Sequence, residues 1–144
     1  MKKKNYLKYF RVIRRFIQAK YSINLPDLEI LLYLYSEEYF SEKVFVDWGQ
    51  IMSWEKNRMQ RMIDEGWIQV FRAKTKRRKA MYSLTLKAKK MVSTFYKTIE
   101  GETITENPNY NPLFKKDAKF SDKVYKPLIR KMNKAIRQPQ RPFQ

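Results

Sequence analysis

The chain has 144 residues, with 32 lysines and arginines against 14 aspartates and glutamates, a formal charge of +18. That length allows one ordinary domain or a smaller domain with a long tail, and 43% hydrophobic residues with 15% aromatics is too rich for a disordered basic chain. With no Cys and no His, disulfide scaffolds, Cys/His zinc sites, thiol nucleophiles and Ser-His-Asp triads are excluded.

In chain order, the first expected element is a helix over about residues 5 to 20. Leu7, Phe10, Ile13, Phe16 and Ile17 recur at steps of three and four, with Lys8, Arg11, Arg14 and Arg15 on the remaining surface. Such a stripe suits burial in a core or a dimer interface; the other reading is a helix facing a membrane surface or nucleic acid. Pro26 fits a first helical turn, and Asp27 and Glu29 suit the positive end of the helix dipole. Leu28, Leu31, Leu32, Leu34 and Tyr35 then place that helix at the centre of the fold. Glu37, Glu38 and Glu42 read as a solvated helix end rather than a metal or catalytic cluster, because no further ligands accompany them. Val44, Phe45, Val46 and Trp48 fit either a short strand or a short helix. Ser53 is an expected N-cap, with Trp54 at the first helical position. In the helix that follows, Met59, Met62 and Ile63 line one side and Lys56, Asn57, Gln60 and Arg61 the other. Gly66 closes it.

After Gly66 the period changes. Trp67, Ile68, Val70 and Phe71 have strand character, and Arg72 to Lys79 then carries six bases in eight residues: Arg72, Lys74, Lys76, Arg77, Arg78 and Lys79. Met81 to Thr85 returns as a second strand, so the segment reads as a hairpin with a charged tip. From Leu86 a helix runs to about Glu100, with Ala88, Met91, Val92, Phe95 and Ile99 on one face. Asn107 to Pro112 is a turn-rich connector. Val124, Leu128, Ile129, Met132 and Ile136 mark a last basic helix starting near Lys126, which the segment from Gln138 to Gln144 cannot continue. The expected organisation is a domain over residues 1–100 and a basic extension over residues 101–144.

This order of elements resembles a winged helix-turn-helix, and the local sequence resembles the multiple-antibiotic-resistance-regulator (MarR) type. In that family the recognition helix ends in L-x-x-x-G-[LWY]-[IV], which Met62 to Ile68 fills with Met for Leu. Its wing reads D-x-R-x-x-x-[VY]-x-L-T, and Lys76 to Thr85 runs alongside it. Lys76 stands where the family has aspartate, and Ala88 where glycine is common. The resemblance covers about residues 25–100. It implies a mainly α fold with a small β-hairpin wing, and puts Arg78 where the family's wing arginine enters the DNA minor groove.

The residues point the same way. Residues 21–48 hold six acids and one base, a net of −5, whereas residues 66–100 hold ten bases and one acid, a net of +9. That split suggests one face built for a polyanion. Lys56, Asn57, Gln60 and Arg61 carry groups that pair with base edges in the major groove, and the hairpin bases would neutralise phosphates or enter a narrow minor groove. The expected function is sequence-preferring binding of double-stranded DNA as a small, non-enzymatic transcriptional regulator of viral or bacterial origin. The alternative is a structural or packaging nucleoprotein, for instance a phage virion component, that reuses the fold. The glycines, Gly49, Gly66 and Gly101, stand too far apart for a nucleotide cradle, and no carboxylate cluster suits nuclease metals, so no cofactor or metal is expected. No apolar run reaches the ~18 residues of a membrane span and no signal core follows the basic N-terminus, so a soluble cytoplasmic protein is expected. A homodimer or larger assembly is expected through the N-terminal helix and the C-terminal extension.

Overall fold

In the computed structural model, residues 5–138 are described; the expected helix-terminating segment from Pro139 onward lies outside the described residues. The backbone is mainly helical, with one two-stranded antiparallel sheet among the described residues. The described residues divide into two compact units: residues 24–93, and residues 5–23 together with residues 94–138. The boundary read at residue 100 therefore differs from the observed grouping, in which the N-terminal helix belongs with the C-terminal segment.

Residues 24–93 begin with α2 (Leu25–Leu34), capped by the Asn24 side chain, which accepts from the Asp27 amide at 2.9 Å. Leu28, Ile30, Leu31 and Leu34 are all fully buried, as a helix apolar on several sides requires. The ambiguous stretch after Ser41 is helical. Ser41 caps α3 (Glu42–Gly49) by accepting from the Val44 amide, and Phe45 is its buried residue. Just before it, Phe40 forms an isolated antiparallel bridge to Tyr82. Helix α4 spans Arg58–Asp64. It does not start where the sequence suggested: Ser53 caps no helix and Trp54 is not helical. The residue before α4 is Asn57, in the left-handed region at φ 63°, with no side-chain cap bond. Gly66, at φ 85°, ends it as expected, and the Trp67 amide reaches back to the Met62 carbonyl at 2.9 Å.

Strands β1 (Ile68–Arg72) and β2 (Met81–Leu84) then pair, Ile68 opposite Leu84 and Val70 opposite Tyr82. The register slips between Val70 and Arg72, so Phe71 is the extra residue of a bulge. Its ring stacks on Tyr39, with centroids 4.0 Å apart. Helix α5 (Leu86–Ile99) belongs to this unit through Ser93. Its start is fixed by Thr85, whose hydroxyl accepts from the Ala88 amide and donates to the Gly66 carbonyl at 2.7 Å.

The other unit contains α1 (Phe10–Tyr21), the end of α5, a 3-10 turn at Pro112–Phe114, α6 (Phe120–Lys123) and α7 (Tyr125–Arg137). Of the expected stripe, Ile13, Phe16 and Ile17 are buried, with Val12 beside them, whereas Phe10 is half-buried and Leu7, in the turn ahead of the helix, is exposed. Arg15 donates from Nε and Nη2 to both oxygens of Asp122 at 2.9 Å, a bidentate pair tying α1 to α6. Buried Asn133 on α7 holds the extended chain at Ile104: its amide oxygen accepts from that N–H at 2.9 Å, and its Nδ2 donates to that C=O at 2.7 Å. One side chain thus satisfies both backbone groups of a buried residue, as a neighbouring strand would.

Candidate nucleic-acid interface

Bulk charge becomes local at the hairpin. The tip is closed by reciprocal bonds between Thr75 and Arg78: the Thr75 amide donates to the Arg78 carbonyl at 2.9 Å, and the Arg78 amide donates to the Thr75 hydroxyl at 3.1 Å. Lys76 and Arg77 occupy the bend. Arg72, Lys74, Lys76, Arg77, Arg78 and Lys79 are all exposed, and among the described residues no ion pair holds any of them. Among the described residues their side chains are restrained by one 3.2 Å bond, from Arg72 to the Lys79 carbonyl, which leaves its charge uncompensated. The order of chain, bulge and turn therefore delivers six cations to solvent on a hydrogen-bonded frame.

The residues around α4 are placed differently from the face drawn in sequence. Lys56 and Asn57 precede the helix, exposed in the turn that leads into it. Gln60 is exposed on the helix and donates to Asp64 at 2.9 Å. Arg61 is not free. It donates to both oxygens of Asp27 at 2.8 Å, to both oxygens of Glu55 at 2.6 and 2.9 Å, and to Glu65 at 2.9 Å. Hydrogen bonds to Asp27 and Glu55 raise its already high proton affinity further, and those from Arg61 hold the Glu55 carboxyl below its ordinary value.

Beside it lies a residue that sequence reasoning passed over. Arg58 is only 5% exposed; it donates to the Ser53 carbonyl at 2.7 Å, and its Nε lies 3.7 Å from Asp27 and 3.8 Å from Glu55. Asp27, itself 2% exposed, is the hub that receives both arginines. An acid in the first turn of α2 looked like a dipole partner. Its burial is visible only once α4 is laid against it. Two more basic contacts were also missed: Lys87 sits 4.0 Å from the centroid of the buried Trp67 ring and donates to the Glu65 carbonyl at 3.2 Å.

Among the described residues no group of acids or other ligands could hold a metal ion, and no helix is long and apolar enough to cross a membrane. No family model, curated protein or solved structure matches the chain.

Proposed function

We propose that residues 24–93 act as a winged helix-turn-helix that binds double-stranded DNA, with the protein serving as a small transcriptional regulator. The observation that carries this reading is the hairpin: six cations without a carboxylate partner among the described residues, held by a closed turn. Supporting it, the order of helix, two short helices, hairpin and helix matches the order that the resemblance implies, and the Phe40–Tyr82 bridge ties the chain ahead of α3 to the hairpin. In this reading the hairpin neutralises phosphates, while Lys56, Asn57 and Gln60 approach the base edges. Arg61 becomes a positioning residue, fixing Glu55 and the turn ahead of α4. A homodimer would form through the flanking unit by way of exposed Val124, just ahead of α7, and Leu128 on it, because Ile13, Phe16 and Ile17 are already buried.

One observation favours a packaging nucleoprotein as the second reading. Arg61, whose guanidinium would suit bidentate pairing with a guanine, has that group committed to carboxylates. Competition between a selected duplex and random duplex at fixed salt separates the two. A regulator gains on the order of a thousandfold or more on its own site, whereas a packaging protein binds both alike. In either case the affinity falls with salt, at a log–log slope near −5 if about six phosphates are contacted. An affinity flat in salt would remove both readings.

A further inference from the structure

One exposed aromatic ring has no part in this reading. Trp54 is 83% exposed, in the segment between α3 and α4. The residues on either side of it are pinned: the Ser53 carbonyl accepts from Arg58, and the Glu55 carboxylate accepts twice from Arg61. Both arginines are in turn anchored on buried Asp27. The indole is therefore presented from a fixed backbone, which lowers the ordering cost of anything that binds it.

Trp54 lines a cavity of about 460 Å³ together with Phe45, Val46, Met59, Ile63 and Tyr82. That volume is of the size that takes a small ligand. Asn57 and Gln60 add amide groups to the wall, and Arg58 adds a buried guanidinium whose Nε has no hydrogen-bond acceptor. An aromatic face, apolar sides and a few edge-on donors and acceptors match a planar heteroaromatic ring. Glu42 and Glu55 also line the cavity and disfavour an anion inside it. A phosphate attached to such a ring would have to stay outside, where Lys56 is exposed. A nucleobase entering with its phosphate left outside fits both requirements.

We propose that Trp54 stacks on an unpaired nucleobase admitted to this cavity, so that the protein grips single-stranded or locally opened DNA there. The inference rests on the nucleic-acid reading of this unit and adds a substrate class to it, since a base in an intact duplex stays stacked and cannot enter.

The test uses the full chain, Trp54→Ala and Trp54→Phe, each titrated at fixed salt with a mixed-sequence single-stranded oligonucleotide and with a random duplex. Labelled-strand anisotropy reports affinity and tryptophan emission reports stacking. Trp67 is buried and Trp48, 39% exposed, packs against Tyr33 at 4.8 Å, so Trp54 is the ring most open to quenching, and Trp54→Phe assigns the signal to it. The single strand is expected to quench emission. Trp54→Ala should weaken single-strand binding about tenfold and leave duplex binding almost unchanged, while Trp54→Phe keeps the affinity and loses the quench. Equal losses on both DNAs, binding without quenching, or a changed oligomeric state with unchanged single-strand affinity would each overturn the proposal, the last assigning Trp54 to a protein contact. If duplex binding keeps its salt slope but the single strand is ignored, this inference alone falls. If neither DNA binds, the nucleic-acid reading falls with it.

Discussion

Two sets of cations in residues 24–93 meet opposite fates. Arg58 and Arg61 turn toward Asp27 and Glu55, and much of their charge is answered inside the unit. The six bases from Arg72 to Lys79 stand exposed, answered by no carboxylate among the described residues. The difference teaches that a count of bases overstates what a polyanion can reach. A guanidinium held by carboxylates acts as a strut: it sets backbone position, and taking it away leaves buried charge behind. A cation on a hairpin tip has no such task and is available to a phosphate. The flanking unit repeats the first pattern in Arg15 and Asp122.

The strut is where the comparison breaks most visibly. Asp27→Ala removes the hub and leaves buried Arg58 with Glu55 alone, which it shares with Arg61, while Arg61 keeps Glu65 as well. A loss of about 3 kcal/mol is expected, at the low end for a broken buried pair because Arg61 is partly exposed. Urea unfolding of the intact chain measures it. Arg61→Ala should likewise lower stability before it alters base preference. A stable Asp27→Ala protein with altered sequence preference would move Arg61 back among the base-reading residues.

How far the sequence reveals these two fates follows from how local each one is. The hairpin is legible because its determinants are neighbours: Gly66 supplies the positive φ, apolar runs flank a basic tip, and Thr85 returns to bond Gly66. The buried face of α5 is legible for the same reason, since Ala88, Met91, Val92 and Phe95 follow one helical period and are all buried. The start of α4 is not. Ser53 has the right side chain for a cap, but Glu55 and Arg61 are drawn into a network whose hub lies 34 residues upstream of Arg61, and the helix begins at Arg58 instead. The grouping of α1 with the C-terminal segment is hidden in another way. An apolar stripe says that a face will be buried, but not by what. Asn133 gave no signal at all, because a buried asparagine that imitates a strand looks in sequence like any polar helical residue.

A second perturbation sharpens the contrast from the hairpin side. Arg77→Ala, Arg78→Ala and Lys79→Ala together should leave the unfolding midpoint unchanged, since all three side chains are exposed and form no ion pair among the described residues. Duplex affinity should fall on the order of a hundredfold near 0.1 M salt, and the log–log salt slope should flatten by about 3. Isothermal titration at three salt concentrations measures both. A lower midpoint with an unaltered slope would make the hairpin cations structural and erase the distinction.

The smallest effect is in pH, and it separates struts from free cations without touching DNA. Hydrogen bonds from Arg61 hold the Glu55 carboxyl below its ordinary value of 4.5, outweighing the opposing effect of burial. The hydrogen bonds from Arg15 hold Asp122 below 3.8 in the same way. For each, the folded state favours the ionised form. The stability it contributes is therefore complete above the ordinary value and is lost as pH falls through the lowered one. Glu55→Gln and Asp122→Asn should each start less stable at neutral pH and lose less on acidification below about pH 5. Among the described residues the hairpin bases face no carboxylate, so the triple alanine variant should follow the wild-type pH profile throughout. Thermal midpoints at half-unit steps from pH 6 down to about pH 3 would show it. A triple variant with a flattened profile would mean that some carboxylate leans on the hairpin after all, and the two sets of cations would then differ in degree rather than in kind.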